Sequence, residues 1–198
     1  MNSKTFFSLI APAKLNLFLH INARRDDGYH ELETLFTFLN FGDELSFELT
    51  DESSILITGD TKDIPLEDNL IYKAALMLQT DAKTKHGVKI NLIKRLPMGG
   101  GVGGGSSDAA TTLLALNKLW NINYDINKLA NLGLQLGADV PVFIRGESAI
   151  AQGIGEKLHR VELAQKWYCV VHPNQHVSTA KIFTHPDLKR DTPKISGD

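Results

Sequence analysis

The residues with the clearest chemical potential run from 97 to 108: Pro97-Met98-Gly99-Gly100-Gly101-Val102-Gly103-Gly104-Gly105-Ser106-Ser107-Asp108. Six of the chain's 16 glycines fall within seven consecutive positions here, and an apolar helical pattern follows. Glycine lacks a Cβ, so backbone N–H groups can approach an anion closely and the chain can take positive φ. A helix start adds unpaired N–H donors and the positive end of a dipole. The combination reads as a cradle for a polyphosphate and points to a nucleotide-using enzyme. A P-loop would need lysine before its hydroxyl residue, but Gly104-Gly105-Ser106 has none. The dinucleotide fingerprint matches by spacing at Gly99, Gly101 and Gly104. Its acid would be Asp125, which lies in a loop and helix-cap context instead of at a strand end. A flexible linker is the plain alternative, and linkers seldom run straight into a strong helix.

Two further residues could supply the reaction. Asp139, in Gly137-Ala138-Asp139-Val140-Pro141, is an acid among small and apolar neighbours. It is either a cap or turn residue or a base in a partly enclosed site. Lys14, in Ala11-Pro12-Ala13-Lys14-Leu15-Asn16, is a cation in an apolar strand. It either snorkels to solvent or serves the chemistry. Taken with the glycine loop, they form a kit for phosphoryl transfer. Loop N–H groups hold the phosphates, Asp139 takes the proton of a hydroxyl, and Lys14 offsets charge on the transferred group. Such transfer is mostly positioning and charge neutralisation. Ser106 or Ser107 could touch a Mg²⁺ ion or a phosphate oxygen, or could simply cap the helix.

The elements that must position these groups follow from periodicity. Strands are expected over 6–10, 15–21, 35–41, 44–49, 55–58, 88–93, 148–152 and 167–171. Helices are expected over 69–79, from 107 to about 119, from 125 to the stop at Gly137, and briefly over 178–183. Strand runs with inserted helices give an α+β fold. The tail over 187–198 is polar, with Pro186 and Pro193 nearby.

Bulk properties narrow the function classes. The 198 residues suit one large domain or a domain and part of another. A net charge of −2 gives no electrostatic case for nucleic acid or an anionic membrane. The single cysteine, Cys169, excludes an internal disulfide and lies in an apolar run, so a buried thiol is expected. No His/Cys cluster has zinc spacing, no run approaches a membrane span, and the apolar N-terminal stretch is too short for a signal peptide. A cytoplasmic location follows.

The Pro-x-x-x-Gly-x-Gly pattern at 97–103, with Ser-Ser and a helix after it, resembles the GHMP small-molecule kinases. The segments 11–17, 27–30, 96–107 and 136–143 match that family in order across nearly the whole chain. The resemblance implies the GHMP kinase N-terminal fold over 1–155, akin to a domain of a small-subunit ribosomal protein. It also implies the start of a substrate domain over 156–198. It implies ATP and Mg²⁺ as cofactors and an alcohol phosphotransferase activity on a small molecule, a cytidine diphosphate-linked polyol. Lys14 and Asp139 would be the catalytic pair, and Pro97 to Ser107 would bind the phosphates. Asn69 and Lys94 would lie near the nucleoside of ATP. Tyr29, His30 and Phe183 would hold the cytidine, with Asn16 and Thr179 near polar groups of the substrate. Each has a bland alternative: turn aromatic, surface histidine, helix core residue, helix cap.

A third glycine-rich motif of the family finds no match after Phe183, so a truncated chain of weak or no activity is expected. Three competing readings remain. One is another kinase of the family, acting on homoserine, mevalonate or a sugar. The second is a non-catalytic nucleotide-binding module, and the third is a nicotinamide-dependent oxidoreductase.

Overall fold

The computed structural model describes residues 6–61, 64–173 and 179–195, with the side chains of 179 and 180 also outside the description. Its elements are β1 (Phe6–Arg24), β2 (His30–Thr50), β3 (Ile55–Gly59), a 3₁₀ turn (Leu66–Asp68), α1 (Leu70–Asp81), β4 (Gly87–Ile93), α2 (Gly104–Leu119), α3 (Ile126–Leu136), α4 (Val140–Arg145), β5 (Ala149–Gly153), β6 (Lys157–Arg160) and α5 (Thr179–Thr184). They form one six-stranded sheet in the order β3-β4-β2-β5-β6, with β1 also paired to β2. Every pairing is antiparallel except β3 with β4. A dinucleotide-binding fold needs a parallel doubly wound sheet, so the oxidoreductase reading loses its scaffold.

The two strands expected over 6–24 are one, and so are the two expected over 35–49. β1 crosses β2 along its whole length, with register shifts between Pro12 and Lys14, Asn16 and Phe18, and Ile21 and Ala23. Bulges of this kind insert an extra residue and bend the strand without ending it. Gly42, opposite Pro12, is a crossing point within β2. A Cβ there would stand 2.0 Å from the carbonyl oxygen of Ala11, so only glycine allows the two backbones to come this close.

One face of the sheet carries the core. Leu45, Phe47, Val88 and Ile90 are fully buried against Ala74 and Leu78 of α1 and Ala109, Leu113 and Leu116 of α2. α2 begins at Gly104, inside the glycine run and three residues before its expected start. α1 starts where expected because Asn69 caps it, its side-chain oxygen accepting from Ile71 N at 2.9 Å. Asn69→Ala should cost about 0.5–2 kcal/mol, whereas Asn69→Asp, which keeps the acceptor, should cost little. Urea unfolding of both variants checks this.

Three expectations need correction. Residues 167–171 form no strand; Trp167 is 99% exposed and Cys169 is exposed, not buried. An apolar run becomes a strand only beside a partner that takes up its N–H and C=O groups, and among the described residues none pairs with it. The boundary expected between 155 and 156 falls inside the β5–β6 hairpin, so the sheet continues to Arg160. No helix among the described residues is long and apolar enough to cross a membrane.

Candidate active site

The glycine loop, the start of α2, the bulged middle of β1, the capped start of α1 and residues 138–139 surround a cleft of about 690 Å³. Gly99, Gly101 and Gly103 all have positive φ, at 69°, 71° and 77°. Gly103 is also crowded: a Cβ would lie 2.6 Å from Phe143 Cζ and 3.1 Å from Lys14 Cγ. The loop is tied to β1 by the Lys14 N–H, which donates to Val102 O at 2.9 Å. Beyond Gly103, the N–H groups of Gly104, Gly105 and Ser106 have no intrahelical acceptor by helix geometry. The first such bond is made by Ser107 N to Gly103 O at 2.8 Å. Residues 97–106 all line the cleft. Ser107 departs from expectation: it is fully buried behind the loop, its Oγ without a hydrogen-bond partner.

β1 aims Lys14 and Asn16 at the same face, as residues two apart in a strand must be. Lys14 is 5% exposed. Its Nζ donates to Asn16 Oδ1 at 2.5 Å, lies 3.4 Å from Asp139 Oδ2 and sits 5.0 Å above the Phe36 ring. Asn16 in turn donates from Nδ2 to Thr34 Oγ1 at 2.8 Å, and that hydroxyl donates to Phe18 O at 2.6 Å. Both ends of the amide are therefore fixed, and the lysine cannot snorkel away. Asp139 arrives from the far side of the chain. α4 packs on α3 at Gly133, where a Cβ would be 2.7 Å from Val140 Cγ1 and Ile144 Cδ1. Asp139 stands at the N-cap of α4 yet makes no capping bond with its side chain. A carboxylate unused by the helix and lining the cleft is available to accept a proton.

Lys94 also lines the cleft, held by two acids that the sequence did not single out. Its Nζ donates to Asp43 Oδ2 at 2.6 Å and to Asp108 Oδ2 at 2.8 Å. Asp43 Oδ1 accepts from the backbone N–H groups of Arg95 and Leu96 at 2.6 and 2.8 Å. The three side chains brace the two ends of the glycine loop against β2. Asp108 adjoins Ser107 in a motif already of interest, so adjacency was its only signal. Asp43, beside Gly42, carried none.

Burial pushes the Asp108 carboxyl up to about 7, against the pull of Lys94. Burial works against the Lys94 ammonium too, but Asp108 and Asp43 together raise it. A raised carboxyl favours the folded state in its protonated form. That contribution is whole below the unfolded value near 3.8 and is lost as pH rises through about 7. Asp108→Asn stays neutral throughout. Its stability relative to the parent should therefore improve from pH 5 to pH 8, by an order of a few kcal/mol and several degrees in Tm. Thermal melts of both proteins across that range test the sign.

The expected cytidine-holding residues are only partly assembled. Phe183 lines the cleft and faces His30, ring centroids 5.1 Å apart. Neither His30 nor Tyr29 lines the cleft. Tyr29 is 61% exposed in the turn before β2, where its N–H donates to Asp27 Oδ1 at 3.1 Å. That turn closes between strands and projects the ring outward. The Thr179 side chain lies outside the described residues.

Comparison with known proteins bears on what this cleft holds. Residues 69–147 match the GHMP kinases N terminal domain. The chain is 79% identical over all 198 residues to the 4-diphosphocytidyl-2-C-methyl-D-erythritol kinase of Pseudoalteromonas translucida, spanning 70% of that protein. It is 61% identical over 184 residues to the kinase of the same name from Tolumonas auensis, spanning 65% of it. A crystal structure of a 4-(cytidine 5′-diphospho)-2C-methyl-D-erythritol kinase overlays with a TM-score of 0.71 at 44% identity, over 80% of this chain and 56% of that one. Homoserine kinase from Cytophaga hutchinsonii overlays with a TM-score of 0.64 at 18% identity, over 92% of this chain and 60% of that one, a likeness of fold alone.

Proposed function

The chain belongs to the 4-diphosphocytidyl-2-C-methyl-D-erythritol kinases of the GHMP family, and from that premise we propose that its cleft transfers the γ-phosphoryl group of ATP to a hydroxyl of 4-diphosphocytidyl-2-C-methyl-D-erythritol. The step belongs to isoprenoid precursor synthesis by the non-mevalonate route. The observation that carries this reading is the Lys14–Asp139 pair, 3.4 Å apart at the mouth of the glycine cradle.

The roles follow from position. The N–H groups of Gly104, Gly105 and Ser106, with the glycine loop, receive the phosphates of ATP. Asp139 accepts the proton of the acceptor hydroxyl as that oxygen bonds to γ-phosphorus and the bond to the β-phosphate oxygen breaks. Lys14, fixed by Asn16, neutralises charge on the transferring group, and ADP leaves with the electron pair. Asn69 and Lys94 border the nucleoside. His30 and Phe183 hold the cytosine, with Asn16 toward the polyol. Among the described residues no cluster of three or more His, Cys, Asp or Glu could hold a metal. Mg²⁺ would accordingly take most of its ligands from phosphate and water, as this ion prefers. Ser106, at the start of α2, is one of the side-chain oxygens lining the cleft that could hold the ion, which would supply charge neutralisation at the phosphates. On this reading the sheet through Arg160 belongs to an ATP-binding domain and the residues after it begin a substrate domain, and the enzyme works in the cytoplasm without a nucleic acid or membrane partner.

The test is incubation at high protein concentration with ATP, Mg²⁺ and, in parallel, the cytidine diphosphate polyol, homoserine, mevalonate or galactose. Mass spectrometry should find a phosphoryl group added to the polyol alone, with one ADP per product. Phosphate on another alcohol overturns the substrate. ATP binding without transfer to any alcohol favours a nucleotide-binding module.

A further inference from the structure

The chain after α5 turns back on β1 and the start of β2, and one side chain organises it. Arg190 donates from Nη2 to the carbonyls of Phe183 at 3.0 Å and His185 at 2.9 Å, and from Nη1 to Leu188 O at 2.9 Å. Of these carbonyls, Phe183 O lies at the end of α5, where helix geometry leaves acceptors free, and His185 O also accepts from Leu188 N at 3.2 Å. The same guanidinium donates from Nε to His30 Nε2 at 3.1 Å. Beyond it, Thr192 anchors the segment to β1: its N–H donates to Ile21 O at 3.0 Å, and its carbonyl accepts from Asn22 Nδ2 at 2.9 Å. Arg190 thus touches the backbone of Phe183 and the ring that Phe183 faces.

A guanidinium has five donors and no acceptor. The imidazole nitrogen that receives its N–H must offer a lone pair, so His30 Nε2 carries no proton. The proton of the neutral ring is then on Nδ1. The charge state agrees. Burial, then the positive charges of Arg190 and Arg24, hold the His30 pKa below the ordinary histidine value. Arg24 is the residue opposite His30 in the β1–β2 ladder.

We propose that Arg190 is a positioning residue for base recognition: it fixes His30 beside Phe183 as the neutral Nδ1–H tautomer, which offers one ring donor and no free acceptor. This rests on the substrate reading above. A lone donor suits the N3 position of cytosine, which accepts a hydrogen bond, and opposes N3 of uracil, which carries a proton. Arg190 thereby sets the preference for a cytidine over a uridine diphosphate without touching the base.

The first measurement is ¹⁵N–¹H correlation of the histidine side chains in the free chain. It should show the His30 proton on Nδ1. The second compares cytidine 5′-diphosphate, uridine 5′-diphosphate and ATP binding by calorimetry in the parent, Arg190→Met and Arg190→Lys. Arg190→Met should return His30 to the Nε2–H form, weaken cytidine diphosphate about tenfold and bring the two pyrimidines close to parity, a loss of one good hydrogen bond. Arg190→Lys, which cannot span the same four acceptors, should recover the preference only in part. ATP affinity should hold within about twofold. A proton on Nε2 in the free parent overturns the proposal and needs no variant to read. So does an unchanged pyrimidine preference in Arg190→Met. A parent chain that shows the Nδ1–H tautomer but binds neither pyrimidine overturns the base-reading role through the substrate assignment, leaving the Arg190–His30 geometry itself intact.

Discussion

Asp139→Asn should lower kcat by about 10²–10⁴-fold while ATP affinity stays within about twofold. The amide keeps the shape of the carboxylate but cannot take a proton at neutral pH. The change also touches the fold: the Asp139 side chain is 38% exposed and makes no capping bond, but the amide leaves the buried Lys14 ammonium without its carboxylate partner, so some stability should be lost and urea unfolding must accompany the kinetics. Lys14 keeps its bond to Asn16 Oδ1 and therefore its place. Lys14 itself is a poorer probe: at 5% exposure its removal would strand Asn16 Oδ1 and mix catalysis with folding. Rapid-quench turnover with calorimetric ATP binding separates the two quantities. A variant that retains more than a tenth of the parental kcat would remove Asp139 from the role of base.

Gly103→Ala should weaken ATP binding at least tenfold and destabilise the chain by about 2–4 kcal/mol, combining left-handed strain with overpacking. Two separate effects meet at this residue. Its φ of 77° disfavours any side chain, and a Cβ would press to 2.6 Å from the Phe143 ring. The ring is itself buried and meets Phe38 edge-on at 5.4 Å, so it has little room to yield. The methyl group must move the loop, and with it the N–H groups that begin α2. A double variant distinguishes the causes. Phe143→Leu in the Gly103→Ala background should recover part of the stability by relieving the contact but leave the backbone strain. Urea unfolding and ATP titration of the single and double variants measure both; parental affinity in Gly103→Ala would mean the phosphates do not depend on this loop shape.

How much of this was legible beforehand varies by residue. The glycine run was readable as a tight loop before a helix, because Gly99, Gly101 and Gly103 take the positive φ that glycine allows. The Asn69 and Asp125 caps were readable because capping is local: each side chain bonds a backbone N–H two or three residues on. Strand continuity was not readable. Pro12 and Gly42 look like breaks, yet they face each other beside a register shift whose extra residues lie on β2, where Gly42 lacks the Cβ that would block the approach. Local chemistry there reports a weak point, and only the partner strand decides that it is bridged. Cys169 is exposed within its apolar run for a related reason, since hydrophobicity expresses a tendency to be covered and does not supply the covering surface.

Readable from residue order alone were the glycine loop before a helix, the caps of α1 and α3, the α+β character and the candidate pair Lys14 and Asp139. These depend on residue type and short spacing, which a one-dimensional pattern preserves. Tertiary structure alone decided that Lys14 and Asp139 stand 3.4 Å apart, that Asp43 and Asp108 share Lys94, and that Arg190 reaches His30. Those pairs lie 14 to 160 positions apart in the chain. No local signal encodes such meetings, because burial and charge pairing are set by what packs alongside a residue and not by its neighbours in the chain.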